Sequence, residues 1–110
     1  MSEAILVTGG AGYIGSQICK CLAKNGFNPI TIDNLSRGFQ ESVKWGPFYK
    51  TDLKVKENIT NVFKETKPIG VIHLAAYAYI EESLQNPLLY YENNIIGGIN
   101  LLHSMVECEI

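Results

Sequence analysis

The sequence predicts an α/β fold: a doubly wound parallel sheet of about four strands with flanking helices, the opening part of a larger sheet. Three observations carry this expectation. Two segments, Ala4-Ile5-Leu6-Val7 and Val71-Ile72-His73-Leu74-Ala75, run apolar without alternation, as parallel strands covered on both faces do. Between and after them, apolar residues recur at helical spacing. The first strand leads directly into a glycine-rich turn that opens a helix.

The elements follow in order. After the strand at 4–7, residues 12–25 turn helical, with Ile14, Ile18, Cys21 and Leu22 on the expected buried face, and Asn25-Gly26 supplies the stop. Pro29-Ile30-Thr31-Ile32-Asp33 reads as the second strand. Residues 34–47 read as a loop, with Gly38, Gly46 and Pro47 and room for one short helical turn. Phe48-Tyr49-Lys50-Thr51 is the third strand, ending at Asp52. A helix over about 55–66 places Ile59, Val62, Phe63 and Thr66 on one face, and Lys67-Pro68 ends it. After the fourth strand, Glu81-Glu82-Ser83 suggests a short turn. Pro87 is placed to start a long helix whose expected buried face is Ile95, Ile99, Leu102 and Val106. Gly97-Gly98 weakens that helix unless another backbone packs closely there. Strands alternating with helices imply right-handed crossovers and the strand order 3-2-1-4, which leaves strand four with a bare edge.

Composition narrows the function classes. Net charge is −2 with no basic stripe, which argues against a nucleic-acid partner. The apolar runs are far too short to span a membrane, and Met1-Ser2-Glu3-Ala4 lacks the basic flank of a signal peptide, so a cytoplasmic protein is expected. Cys19 and Cys21 point to different faces of one helix, and no His or Cys pair stands at metal-ligand spacing; no metal is expected.

The chemistry-bearing stretch is Thr8-Gly9-Gly10-Ala11-Gly12-Tyr13-Ile14-Gly15. Gly9 permits a tight turn, Gly12 lets backbone approach a pyrophosphate, and Gly15 lets the helix pack closely on the sheet. The helix N-terminus then offers free N–H groups and partial positive charge to phosphates. A triphosphate-hydrolysing loop is disfavoured, because Ser16-Gln17 follows where Lys-Ser/Thr is required. Asp33 lies 18 residues after Gly15, at the end of strand two, where an acidic side chain accepts from an adenosine ribose. Its charge favours NAD over NADP, while Arg37 offers a possible seat for a 2′-phosphate. Asp33-Asn34 could instead simply begin a turn.

These residues resemble the extended short-chain dehydrogenase/reductase family. The resemblance rests on residues 8–16, on Asp33-Asn34-Leu35-Ser36, on Asp52-Leu53 and on His73-Leu74-Ala75-Ala76. Glu82-Ser83, Asn86-Pro87 and Tyr90-Tyr91-Glu92-Asn93-Asn94 point within it to the epimerases of nucleotide sugars. The resemblance implies a Rossmann domain in which Tyr13 and Ile14 present backbone to the NAD pyrophosphate, and Asp33, Asn34, Leu35, Ser36, Arg37 and Gly38 surround the adenosine ribose. It implies that Asp52 and Leu53 meet the adenine, that Leu74, Ala75 and Ala76 pass under the cofactor, and that Asn93 reaches the central ribose and phosphate. Plainer roles stand beside these: a helix cap for Asp52, strand core for 74–76, a solvated Asn93, and a satisfied strand-end residue for His73. Two positions depart from the family: Ala78 stands where many epimerases carry Lys, and Glu81 where Gly is usual.

The family's chemistry moves a hydride from C4 of a UDP-hexose onto NAD⁺, lets the 4-keto sugar rotate, and returns the hydride to its other face. That chemistry needs a Tyr-x-x-x-Lys pair, and none of the six tyrosines here is followed by Lys at that spacing. No catalytic residue is therefore assigned. Residues 1–110 are expected to be the N-terminal part of an NAD-binding domain, with its remainder and the substrate domain absent, and to be inactive alone. The family also implies a homodimer formed through the long helix after strand four, where Ile95, Ile96, Leu101 and Leu102 include outward positions. Alternatives are another nucleotide-sugar dehydratase or decarboxylase, and a non-catalytic NAD-binding module.

Overall fold

The computed structural model describes residues 3–76 and 80–110. Strand β1 (Ala4–Thr8) lies between β2 (Asn28–Asp33) and β4 (Gly70–His73), and β3 (Phe48–Lys50) pairs outside β2. All pairs are parallel and the order is β3-β2-β1-β4, as expected. The register sets Thr8 opposite both Ile32 and His73, so three strands end level at one edge of the sheet.

The sheet is covered unequally. On one face Leu6, Ile30 and Ile32 meet Ile59, Val62 and Phe63 of α2 (Lys56–Thr66) and Leu101 of α5 (Gly97–Glu107), forming the main core. On the other, α1 (Tyr13–Lys24) packs against β2, where Cys19 meets the Thr31 hydroxyl, while its Gly15 closes on the glycine turn. Here the expected face is corrected. Ile14 and Cys21 are exposed, and Ile18 and Leu22 only half-buried, because the close-packing positions are the two small residues Gly15 and Cys19. The bulkier neighbours are carried to the rim.

The Lys67 cap closes α2 in the left-handed conformation, just before Pro68. A single 3₁₀ turn, Gln40–Ser42, interrupts the 34–47 loop. Strand β4 is half-buried where full cover was expected. It stands at the sheet edge with one strand neighbour among the described residues. The expected turn at 81–83 is a short helix, α3 (Ile80–Gln85). Beyond it the chain is helical from Pro87, which occupies the first turn of α4 (Pro87–Tyr90), through a π-helical stretch (Tyr91–Ile96) into α5.

The long helix corrects a second expectation. Ile95, Ile99, Leu102 and Val106 are exposed, the last two at 61% and 79%, whereas Gly97, Leu101 and Ser104 are buried. Two apolar stripes run along this helix, and the one carrying small residues faces inward. A Cβ at Gly97 would stand 3.1 Å from the Leu53 Cβ, and the Ser104 hydroxyl pairs with that of Thr60 at 3.0 Å. Asn100 donates to the Leu53 carbonyl at 2.8 Å, and Lys56 pairs with Glu107. Close approach and polar pairing choose the face over hydrophobic count. Gly97 thus has a close neighbour, but it is the Leu53 side chain and not the backbone expected there, whose nearest atom would stand 4.0 Å away, while Gly98 has open space around it.

Candidate functional site

The strand ends open on a cavity of about 400 Å³, whose floor is lined by Gly9, just after β1, by Ile32 of β2 and by Leu74, just after β4. This is the crevice beyond the carboxyl ends of parallel strands, where the connections leave β1 in opposite directions. The glycine turn crosses it. Gly9 adopts φ +73°, and a Cβ there would lie 2.9 Å from the backbone of Leu74 and Ala75, so the turn is pressed against the end of β4. A Cβ at Gly15 would lie 2.1 Å from the Gly9 carbonyl oxygen. Gly15 therefore lets the helix close on the turn itself rather than on the sheet.

Gly12 is different. Its backbone, at φ −79° and ψ 176°, suits any residue, and a Cβ there would meet only the Gly9 oxygen, at 3.4 Å. Nothing among the described residues demands glycine at this position. It is also the N-cap of α1, with no side chain to satisfy the helix's first N–H groups and no acidic residue in the first turn. The helix end therefore faces the cavity uncapped, in the form that receives an anion.

Asp33 ties the floor to one wall. Its Oδ2 accepts from the Ala11 N–H at 3.1 Å and its Oδ1 from the Leu35 N–H at 2.8 Å. The second bond closes a turn that holds Leu35 at φ +66°. Turn former and site residue are thus the same side chain. Each oxygen retains a lone pair for a further donor. Asn34, Ser36 and Arg37 continue this wall, Leu74, Ala75 and Ala76 form the opposite one, and Leu53 and Asn93 close the remaining side.

Of the residues singled out from sequence, Gly9, Gly12, Tyr13, Ile14, Gly15, Asp33, Asn34, Ser36, Arg37, Leu53, Leu74, Ala75, Ala76 and Asn93 line this cavity. Leu35, Gly38 and Asp52 do not. Leu35 completes the Asp33 turn, and Gly38 is pressed on Ala11, whose carbonyl a Cβ would approach to 2.7 Å. Asp52 accepts from the Lys54 N–H at 2.9 Å. It does not cap α2, whose N-cap is Val55. Tyr77, Ala78 and Tyr79 lie outside the described residues. Ile32 and Thr51 also line the cavity without having been singled out. Both sit next to recognised aspartates at strand ends, which is the one signal that could have found them.

Thr8 is the largest omission. Its buried hydroxyl oxygen accepts from the N–H groups of Leu74, at 2.9 Å, and Ala75, at 3.1 Å. With its lone pairs so occupied, it donates its proton to His73 Nδ1, 2.6 Å away. His73 is therefore a neutral imidazole protonated on Nε2, and partial burial pulls its pKa below 6.5. Arg37, on the cavity wall, pairs with Glu82, and Tyr90 donates to the same carboxylate at 2.9 Å. The Tyr90 hydrogen bond and the Arg37 guanidinium together hold the Glu82 carboxyl below its usual range.

Comparison with known proteins supplies the context of this cavity. The model of the NAD dependent epimerase/dehydratase family matches residues 5–110. A UDP-glucose 4-epimerase of Rhizobium leguminosarum bv. trifolii is 43% identical over 100 residues, covering 91% of this chain and 31% of the relative. That of Rhizobium meliloti (strain 1021) is 42% identical over 106 residues, covering 96% and 32%. Among solved structures, UDP-glucose 4-epimerase from Brucella ovis in complex with NAD superposes with TM-score 0.96 at 40% identity, over 98% of this chain and 33% of that one. The Thermus thermophilus enzyme, also with NAD, gives 0.94 at 41% identity, over 97% and 35%. The chain thus spans about a third of the length of the relatives it matches. Among the described residues, no helix is long and apolar enough to cross a membrane.

Proposed function

Because the chain belongs to the NAD dependent epimerase/dehydratase family, we propose that residues 1–110 form the first part of the NAD-binding domain of a UDP-glucose 4-epimerase. The observation that carries this is Gly12, a glycine the fold does not require, at the N-terminus of a helix that opens uncapped on the cavity. The residues fit a dinucleotide. The first N–H groups of α1 receive its pyrophosphate between Gly9 and Gly15. Asp33 accepts from the adenosine ribose hydroxyls with its remaining lone pairs, and its charge repels a 2′-phosphate, which selects NAD over NADP. Asn34 to Gly38 shape that end, Asp52 and Leu53 take the adenine, Leu74 to Ala76 give a small-residue surface under the cofactor, and Asn93 takes the central ribose and phosphate.

Bound there, NAD supplies a reversible hydride acceptor for C4 of a UDP-hexose, the step by which UDP-glucose and UDP-galactose interconvert. These residues hold and orient the cofactor. They contain no Tyr-x-x-x-Lys pair to move the sugar's hydroxyl proton. The 110-residue chain is accordingly inactive alone, and activity belongs to the intact protein, working in the cytoplasm. Homodimer formation through the exposed apolar side of the long helix is part of the same proposal. The test is to assay the intact protein for conversion of UDP-galactose with stoichiometric NAD, and the 110-residue chain beside it. Conversion by the intact protein alone is expected. Turnover by the short chain, or an intact protein that neither binds NAD nor converts the sugar, overturns the proposal.

A further inference from the structure

The Arg37–Glu82 ion pair joins segments 45 residues apart, and the assignments above give Glu82 no function. Arg37 lies in the loop that follows β2, and Glu82 in the helix that follows β4. Those two strands are the neighbours of β1 on either side. The bond therefore joins the segments that leave the sheet on either side of β1, whose own carboxyl end carries the glycine turn.

The bond is anchored at its far end. Tyr90, in α4, donates its hydroxyl proton to Glu82 Oε1, the same oxygen that meets the Arg37 guanidinium. One carboxylate oxygen thus joins the 34–38 loop to two helices of the opposite wall. The paired side chains keep 37% and 35% of their surface exposed, and pairs of that kind add little to fold stability. Their position, not their energy of folding, gives them a role: Arg37 itself lines the cavity, and Glu82 holds it from the helix that follows β4.

We propose that Arg37, Glu82 and Tyr90 form a strap across the dinucleotide, in which Glu82 is a positioning residue that slows release of the cofactor without touching it. The proposal rests on the reading that NAD occupies the cavity beneath. Entry and exit of the cofactor require the pair to part, so its contribution falls mainly on the dissociation rate.

The experiment follows NADH leaving the full-length protein by fluorescence after a chase with excess NAD. Glu82→Gln keeps an acceptor for Tyr90 and removes the charge, and is expected to speed dissociation about five-fold. Tyr90→Phe acts in the same direction and less. Added salt speeds release from the native protein more than from Glu82→Gln, because only the former has a pair to screen. The charge-swapped double variant, Arg37→Glu with Glu82→Arg, releases NADH more slowly than either single reversal, which a merely structural disturbance would not produce. Thermal midpoints show that each variant is folded. If folded Glu82→Gln releases NADH at the native rate, or the swap gives no recovery, the strap is overturned while NAD binding stands. If the native protein takes up no NADH at all, the cavity reading fails and the strap with it.

Discussion

Gly12 and Gly15 stand three residues apart in one turn and answer to different constraints. A methyl group at Gly15 would overlap the Gly9 carbonyl oxygen, 2.1 Å from the added carbon, and the obstacle is backbone that cannot swing aside. At Gly12 the added carbon would reach only ordinary contact distance, in a conformation open to any residue. Gly15→Ala should therefore destabilise the fold by about 1–3 kcal/mol, the cost of forcing bulk into a packed site. Gly12→Ala should leave thermal unfolding nearly unchanged and weaken NAD binding at least about ten-fold, since it crowds the uncapped helix end. Calorimetric titration with NADH alongside melting separates the two effects. Equal losses of stability in both variants would remove the argument that Gly12 is there for a ligand. The spacing of these glycines was legible in sequence, but their division of labour was not, because it depends on which atoms the fold brings to each missing side chain. Asp33 was legible as a site residue for the same reason that it was legible as a turn former: it is both.

At the scale of elements, β1 and β4 are joined at their ends by a side chain as well as by their ladder. The Thr8 hydroxyl holds two N–H groups of the segment after β4 and donates to His73, and this fixes where Leu74 and Ala75 lie beneath the glycine turn. Thr8→Val keeps the shape and leaves the Ala75 N–H without its acceptor, which should cost about 1–3 kcal/mol in chemical denaturation. The His73 bond adds a pH dependence. Its pKa is lowered in the folded protein, so the unfolded chain takes up the proton first as pH falls below 6.5. The stabilisation is fully present above that pH and declines below it. His73→Asn places an oxygen acceptor near the Nδ1 position without a titrating group, and its melting temperature should fall less between pH 7.5 and 5.5 than that of the native protein. Parallel slopes would show that His73 does not titrate in this window. Helix α2 was legible to its last turn because it has one apolar stripe, and Ile59, Val62 and Phe63 of that stripe are its buried residues. The face of α5 was not, because two stripes compete and only the Leu53 and Thr60 contacts decide between them.

For the whole molecule, the consequence of that decision is an apolar face turned outward. Ile95, Ile96, Ile99, Leu102 and Val106 are all exposed along one long helix, while β4 stands at the sheet edge. So much contiguous apolar surface marks a place that other protein covers. A second copy of the same helix fits a homodimer, since a two-fold axis sets the same stripe against itself. Adjacent leucines on opposite sides of α5 separate the roles of the two faces. Leu101 is 3% exposed and belongs to the core, so Leu101→Ala should cost about 2–5 kcal/mol in unfolding free energy whatever the assembly. Leu102 is 61% exposed, so Leu102→Lys should change the stability of the single chain by less than about 0.5 kcal/mol. In the proposed homodimer of the intact protein, however, it would bury a charge between two helices, and sedimentation should then show a shift toward monomer at micromolar concentration. An unchanged sedimentation profile would mean that the outward stripe is covered by other parts of the same chain, and that the dimer, if formed, uses a different surface.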